Sequence, residues 1–485
     1  MAYREALLNG GNIAGIWGTG YIGYSTMLHL AASGITCLGY DPDKVRVDHI
    51  NQGMHPVPGL ENWLSIEPKP LLSSGRFRAT CNVDEILAPE VIVHIIAVPT
   101  ERDGSPWWDP LVQVIRHLSQ TFAERKQQPG LLPLIIIEST LAPGTIDLML
   151  RSILSSYRLE IGRRLLLGIA PRRDWFIAPD KNLRTLDRIY CGVDEDSADA
   201  VYEVLNILCA KLHRASDYRV CELVKCVENA YRHVEIMLAN QLSLAYPGID
   251  IREVLLLAGT KWNMGQFRPS FGTGGYCIPL AGQYVLQGAT HPEVLTLLSA
   301  AFESDLEMRR RVAQTVIARG CKSVGILGLS YRGNIKVSVM SPALLIAKHL
   351  TKAGASVMIH DPYFTAAEIE RATGLPVLQL PEGLGEIDCL LVNADHQRYL
   401  EPDIRDAVLQ LADRLLVIDN YGAWAGWAWP FGAAYFQPGS SSWLIPQVLL
   451  PTRHPKPRRR QKLSDPHLQT SGANLTKSTT PVVRE

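Results

Sequence analysis

The chain has 485 residues, 47% of them apolar, enough for two or three domains with sizeable cores, and this excludes disorder over most of its length. Lys+Arg and Asp+Glu both number 48, so the charge balance favours neither nucleic acid nor an anionic membrane as a partner. Nine cysteines, scattered without CxxC pairs, argue against a disulfide framework or zinc module and for a reducing compartment, so no metal site is expected. Met1-Ala-Tyr-Arg-Glu-Ala lacks a basic start leading into an apolar run, and apolar stretches such as Leu134-Ile-Ile-Ile137 are far too short to cross a bilayer. The expectation is a cytoplasmic protein.

In chain order, Asn12-Ile-Ala-Gly-Ile-Trp17 reads as a buried strand, and Gly18-Thr-Gly20-Tyr21-Ile22-Gly23 opens an apolar-periodic helix. Cys37-Leu-Gly-Tyr40 is a second strand ending in Asp41, eighteen residues after Gly23. Glycines in a strand–turn–helix unit bring backbone N–H groups at the helix start to a pyrophosphate. An acid at the end of the second strand accepts ribose hydroxyls, which favours NAD over NADP. Two further strands, Val91 to Val98 and Leu134 to Ile137, end in Pro99-Thr100 and Glu138-Ser-Thr140. Ligands of doubly wound sheets bind beyond the carboxyl ends of the strands, so these residues are expected at the cofactor and substrate edge. Leu165-Leu-Leu-Gly-Ile169 delivers Pro171-Arg172-Arg173 to the same edge, where the arginines suit a phosphate or carboxylate. This domain is expected to span 1–215.

A helical middle, 216–310, follows. One long amphipathic helix runs from Val220 to Leu244, with Glu222, Lys225, Asn229 and His233 stepping by three or four along one face. Such a stripe is either a solvated face or the wall of a site. After a helix capped by Gly248-Ile-Asp250 comes Phe271-Gly-Thr-Gly-Gly-Tyr-Cys277-Ile-Pro279, a lone cysteine behind three glycines. By itself this reads first as a turn with a small buried thiol, and second as a loop that presents a nucleophile. Ser323-Val-Gly-Ile-Leu-Gly328, Ala355-Ser-Val-Met-Ile-His-Asp361, Asp388-Cys-Leu-Leu-Val392 and Leu415-Leu-Val-Ile-Asp419 then repeat the βα rhythm over 311–450. A basic, Ser/Thr-rich end at 451–485 reads as a disordered tail. The fold class is α/β, with two Rossmann-like doubly wound domains joined by a long central helix.

The order of motifs resembles the UDP-glucose/GDP-mannose dehydrogenase family from Asn12 to about Trp443. The matching features are Gly18-x-Gly20-Tyr-x-Gly23 with Asp41, Val98-Pro-Thr100, Glu138-Ser-Thr140, Glu222-x-x-Lys225-x-x-x-Asn229, Pro269-Ser-Phe-Gly-x-Gly-Gly-Tyr-Cys277 and Ser341-Pro342. The resemblance implies oxidation of C6 of a UDP-hexose in two NAD-dependent steps, in the service of polysaccharide biosynthesis. Cys277 would attack the C6 aldehyde, Lys225 and Asn229 would hydrogen-bond the oxyanion, and Thr140 would position water or a substrate hydroxyl. The second α/β domain would hold the nucleotide, and the long helix would form a homodimer core.

The chain departs from the family at three places. The acid expected four residues after the cysteine is absent, with Leu280 and Ala281 in that stretch. The Pro-Glu after the fifth strand is Pro171-Arg172, and Lys336-Val-Ser-Val339 replaces an Asp-Asp-x-Arg. The lost acids serve water activation and thioester hydrolysis, so the expectation is slow thioester turnover or a reaction that stops at the aldehyde, with Asp174 a candidate substitute base. Two other readings compete: a non-catalytic relative that binds NAD or nucleotide sugar, and NADP-linked hydroxyacid chemistry, which leaves the second α/β domain without a task.

Overall fold

The computed structural model describes residues 2–102, 105–126, 130–173 and 180–444. The basic tail and Asp174 lie outside them.

Among the described residues, eight strands form the first sheet: β1 Ile13–Trp17, β2 Cys37–Tyr40, β3 Phe77–Thr80, β4 Val91–Ile96, β5 Leu134–Ile137, β6 Leu166–Ile169, β7 Arg188–Gly192 and β8 Leu212–Arg214. Their spatial order is β8-β7-β6-β5-β4-β1-β2-β3. The run from β3 to β6 is parallel and has the 3-2-1-4-5-6 order of a dinucleotide-binding sheet, and β7 joins β6 antiparallel. The strands are continuous apolar runs because both faces are covered. Leu134 and Ile136 enter one core with α1, Tyr21–Ala32, while Ile135 and Ile137 enter another with α2, Asp109–Glu124. Each such fully buried side chain contributes roughly 1.5–3 kcal/mol. His94 in β4 belongs to this core: its Nδ1 accepts from Trp17 Nε1 at 3.3 Å, and burial pushes its pKa down to about 3.

The long helix α3 spans Tyr218–Ala245, 28 residues or about 42 Å at 1.5 Å per residue. Asp217 caps its first turn, and Asp250 caps α4, Ile251–Ala258. Two further helices, α5 at Ile278–Gly288 and α6 at Thr296–Ala318, pack along α3. The second sheet holds β9 Ser323–Leu327, β10 Ser356–His360, β11 Cys389–Val392, β12 Leu416–Asp419 and β13 Tyr435–Phe436. It is parallel, in the order β10-β9-β11-β12-β13, the other common doubly wound arrangement. Its alternating residues also split between two cores, one shared with α7, Pro342–Lys352.

Candidate active site

The site forms where the carboxyl ends of both sheets meet the helical middle. In the first sheet, Gly18 turns at φ +84°, and a Cβ on Gly23 would lie 1.9 Å from the Gly18 carbonyl oxygen, so only glycine permits this approach. Gly20 has no atom within 4 Å of where its Cβ would be, leaving open space beside the start of α1. Tyr21 and Ile22, both half-buried, form that first turn. A pyrophosphate fits this cradle, because the N–H groups of a helix start and its dipole favour an anion. Asp41 is buried and accepts from Thr19 N at 2.8 Å, Thr19 Oγ1 at 3.1 Å and Arg46 Nη1 at 2.9 Å. A ribose would therefore share this carboxylate with Arg46.

Pro99 is exposed just after β4, and Thr100 behind it is the centre of a knot. Thr100 Oγ1 donates to the Thr140 carbonyl at 2.8 Å, and the Tyr284 hydroxyl on α5 donates to the Thr100 carbonyl. The ends of β4 and β5 are thereby tied to the helix that Cys277 heads. Tyr284 is fully buried, which holds its phenol protonated well above the ordinary range. Sequence spacing did not indicate it, although it lies two turns from Cys277 on the face of α5 that turns inward.

Cys277 is exposed, at the N-cap of α5. The loop before it is pinned from several directions. Ser270 N donates to Asn240 Oδ1 of α3 at 2.8 Å, Phe271 N to Asn420 Oδ1 beyond β12 at 2.7 Å, and Gly275 N to the Val339 carbonyl at 2.8 Å. The Tyr331 ring leaves no room for a Cβ at Gly274 or Gly275. Burial pushes the Tyr331 phenol up, and the nearby Cys277 adds to this. The thiol is thus the meeting point of all three parts of the chain.

On α3 the polar stripe faces inward. Glu222 accepts from Gly144 N at 2.8 Å and Ile146 N at 2.9 Å, fixing the turn after β5, and burial pushes its carboxyl up to about 7. Asn229 and His233 are buried and Lys225 is half-buried. His233 meets the Phe302 ring edge-on, and burial lowers its pKa. Among the described residues, the polar atoms of Lys225 and Asn229 make no hydrogen bond. The stripe is turned into the protein and is not a solvated face.

Family models match 12–207 as an NAD binding domain, 219–305 as a central domain and 325–425 as a UDP binding domain, all of the UDP-glucose/GDP-mannose dehydrogenase family. The chain belongs to that family. The enzyme is accordingly an NAD-dependent oxidoreductase of the nucleotide-sugar dehydrogenases. It is 27% identical over 397 residues to a UDP-N-acetyl-D-mannosamine dehydrogenase of Methanocaldococcus jannaschii, covering 80% of this chain and 87% of the relative. It is 24% identical to a UDP-N-acetyl-D-glucosamine 6-dehydrogenase of Pseudomonas aeruginosa, covering 79% and 90%. A solved UDP-D-ManNAc dehydrogenase from Pyrococcus horikoshii shares the fold, with TM-score 0.74, 24% identity and coverage of 89% of this chain and 100% of that one. Among the described residues no helix is long and apolar enough to cross a membrane.

Several expectations for this dehydrogenase need correction. Glu138 does not open onto the crevice. Its carboxylate is buried under α1, accepting from Thr26 Oγ1 at 2.6 Å and Arg188 Nη2 at 2.5 Å, with Arg172 Nη1 at 3.6 Å. Any influence on the cofactor therefore passes through the position of α1. Arg172 and Arg173 also serve internal contacts. Arg172 donates to the Ile22 carbonyl, Ser25 Oγ and Thr26 Oγ1, and Arg173 pairs with Glu228 of α3 at 2.7 Å. A buried guanidinium needs such partners, so strand-end arginines here lock α1 and α3. Leu280 and Ala281 form an apolar cluster with Ala142, Cys226 and Tyr284, one turn behind the thiol.

Proposed function

We propose that the chain oxidises C6 of a UDP-hexose, UDP-glucose or a UDP-N-acetylhexosamine, toward the uronate through a covalent Cys277 intermediate. The observation carrying this reading is an exposed thiol at the head of α5, a helix packed along α3, on which the polar heads of Lys225 and Asn229 have no hydrogen-bond partner among the described residues. The two relatives, named for UDP-N-acetyl-D-mannosamine and UDP-N-acetyl-D-glucosamine, favour the N-acetylhexosamines.

When bound, NAD+ accepts hydride from C6. The chain supplies the rest. As the thiolate, Cys277 Sγ would add to the C6 aldehyde carbon, forming an S–C bond and converting the carbonyl oxygen into an oxyanion, and the adduct would become a thioester as C6 gives its second hydride to a second NAD+. Lys225 Nζ and the Asn229 amide donate to that oxygen, and the start of α5 favours the same negative charge. Thr140 positions the hydroxyl or water. Gly18, Gly20 and Gly23 with the N–H groups of Tyr21 and Ile22 hold the pyrophosphate, Asp41 holds the ribose, and Pro99 and Thr100 line the same edge.

Hydrolysis of the thioester needs water activated by a base. The positions of the family acids carry Ala281, packed on Cys226, and Arg172, engaged under α1. Loss of an acid or base costs ~10²–10⁴-fold in the step it serves. With NAD+ and each UDP-sugar, a burst of two NADH per Cys277 is expected, followed by slow turnover, with the uronyl thioester left on Cys277 by intact mass. Linear NADH formation without a burst, and no adduct on Cys277, would remove the hydrolytic defect from the reading. NADH formation that survives Cys277→Ala would remove the covalent step itself, and absence of NADH with every sugar would favour a binding-only relative.

The division into 1–215, 216–310 and 311–450 follows from this assignment of tasks. Exposed Leu223, Tyr231 and Leu238 on α3, with Leu257 and Trp262 nearby in sequence, support a homodimer through the helical middle. Light scattering behind size exclusion should give twice the 53.7 kDa chain mass; a monomer would overturn it.

A further inference from the structure

We propose that the buried pair Asp305–Arg309 on α6 is a positioning device for the nucleophile, setting the aim of Cys277 through Thr273. The inference rests on Cys277 being the reactive group.

Thr273 stands four residues before Cys277, and all three of its polar groups are taken by this one pair. Its N–H donates to Asp305 Oδ1 at 2.9 Å, its hydroxyl to Asp305 Oδ2 at 3.1 Å, and its carbonyl accepts from Arg309 Nη2 at 2.6 Å. Arg309 Nη2 also bonds Asp305 Oδ2, so the two side chains form a fork closed on one peptide. Both are nearly fully buried. Gly272 precedes at φ +133°, a conformation open to glycine, and a Cβ there would lie 2.5 Å from Asp305 Oδ1 and 2.9 Å from Arg309 Nε. The chain is therefore pressed onto the ion pair with no slack on the side facing α6. On the other side, Gly275 N is fixed to the Val339 carbonyl of the second α/β domain.

The charge is what makes the fork specific. A carboxylate accepts from Thr273 N, Thr273 Oγ1 and Arg309 at once, and an amide cannot accept all three in this geometry. The pair touches no substrate position, and its burial is costly unless it is used. An apolar pair would fill the same space, but it would not fix the peptide of Thr273 in one orientation. Displacing reacting atoms by about 1 Å costs up to ~10²-fold in rate, so a change this close to the thiol should appear in kcat.

The test compares Thr273→Val, Asp305→Asn and Arg309→Lys with the parent chain. Because slow hydrolysis masks earlier steps in the steady state, the kcat and KM compared are those of the NADH burst with NAD+ and the accepted UDP-sugar, read beside thermal midpoints and iodoacetamide labelling of Cys277. The exposed Cys81 of the first domain serves as the internal labelling reference. Asp305→Asn and Arg309→Lys should lower kcat ~10–100-fold with KM for the sugar within about threefold, and change the Cys277/Cys81 labelling ratio at least about fivefold. Thr273→Val, which removes one bond, should fall between them and the parent. A lowered midpoint with unchanged kcat and unchanged labelling ratio overturns the proposal, because a merely structural pair does that. Should Asp305→Asn fail to fold, Thr273→Val and Arg309→Lys decide by the same two readouts. Activity retained by Cys277→Ala would overturn the covalent reading while leaving the labelling ratio to judge the loop.

Discussion

Asp41 and Asp361 occupy matching places in the two sheets. Each ends the strand beside the first one, accepts from the loop that follows the first strand (Thr19 N at 2.8 Å, Ser330 N at 2.8 Å), and accepts again from the residue two ahead (Asp43 N at 3.0 Å, Tyr363 N at 2.9 Å). The next partner separates them. Asp41 is held by Arg46, a long and partly exposed side chain that a ligand can share. Asp361 is held by His396 Nε2 at 3.2 Å, with neither side chain exposed, and His396 Nδ1 in turn accepts from Asn334 N. The loops differ in the same sense. Six residues lead from Gly18 to Gly23 and leave a helix start open. The second loop runs from Gly328 to Ser341, and Asn393 fills it by donating to Gly328 O, Ser330 O and Ser341 Oγ. One strand–loop–acid plan thus yields an open cradle in one sheet and a closed, buried junction in the other.

The comparison breaks most visibly at Asp361. Asp361→Asn leaves His396 without its partner and should cost about 3–5 kcal/mol, read by denaturant unfolding. Burial alone would raise this carboxyl, but His396 and the two N–H groups outweigh it and hold the pKa below the ordinary value. Stability from this group is therefore present above the unfolded carboxyl pKa and is lost as pH falls through the folded one. Wild type should lose stability on acidification below about pH 4, and the variant should lose less.

Glu222 should show the opposite sign. Burial raises its pKa to about 7, so its stabilising share is complete below about pH 4.5 and is lost as pH rises through 7. Between pH 5 and 8 this amounts to about 3 kcal/mol at most, at about 1.4 kcal/mol for each tenfold change in proton affinity. Glu222→Gln should flatten that slope in unfolding measured across pH; an unchanged slope would assign it elsewhere. The smallest effect belongs to Asp41→Asn. With a partly exposed partner it should cost about 1 kcal/mol of stability or less, yet weaken NAD+ binding about tenfold by calorimetry. Equal losses for Asp41→Asn and Asp361→Asn would end the distinction between cradle and junction.

Much of this plan was legible in the chain itself. Apolar runs bounded by Gly18-x-Gly20-x-x-Gly23 and by strand-end acids specify two open sheets, because buried parallel strands need little beyond apolar side chains and a turn. The polar stripe on α3 was legible as a stripe, and its inward orientation was settled only by the helices packed upon it. Glu138 shows where spacing fails. A strand-end side chain can face the crevice or pass under the next helix, and the choice depends on Arg188, fifty residues away in the chain. Tyr284 and Thr100 meet across 184 residues, a pairing no local pattern encodes.

The cysteine loop also has a consequence for local stability. Its backbone bonds end on residues 240, 305, 339 and 420, with separations from 30 to 149 for the side-chain anchors. Each of those closures costs loop entropy that no contact within the loop repays, so the segment carrying Cys277 keeps its shape only while the helical middle and the second sheet stay packed on it.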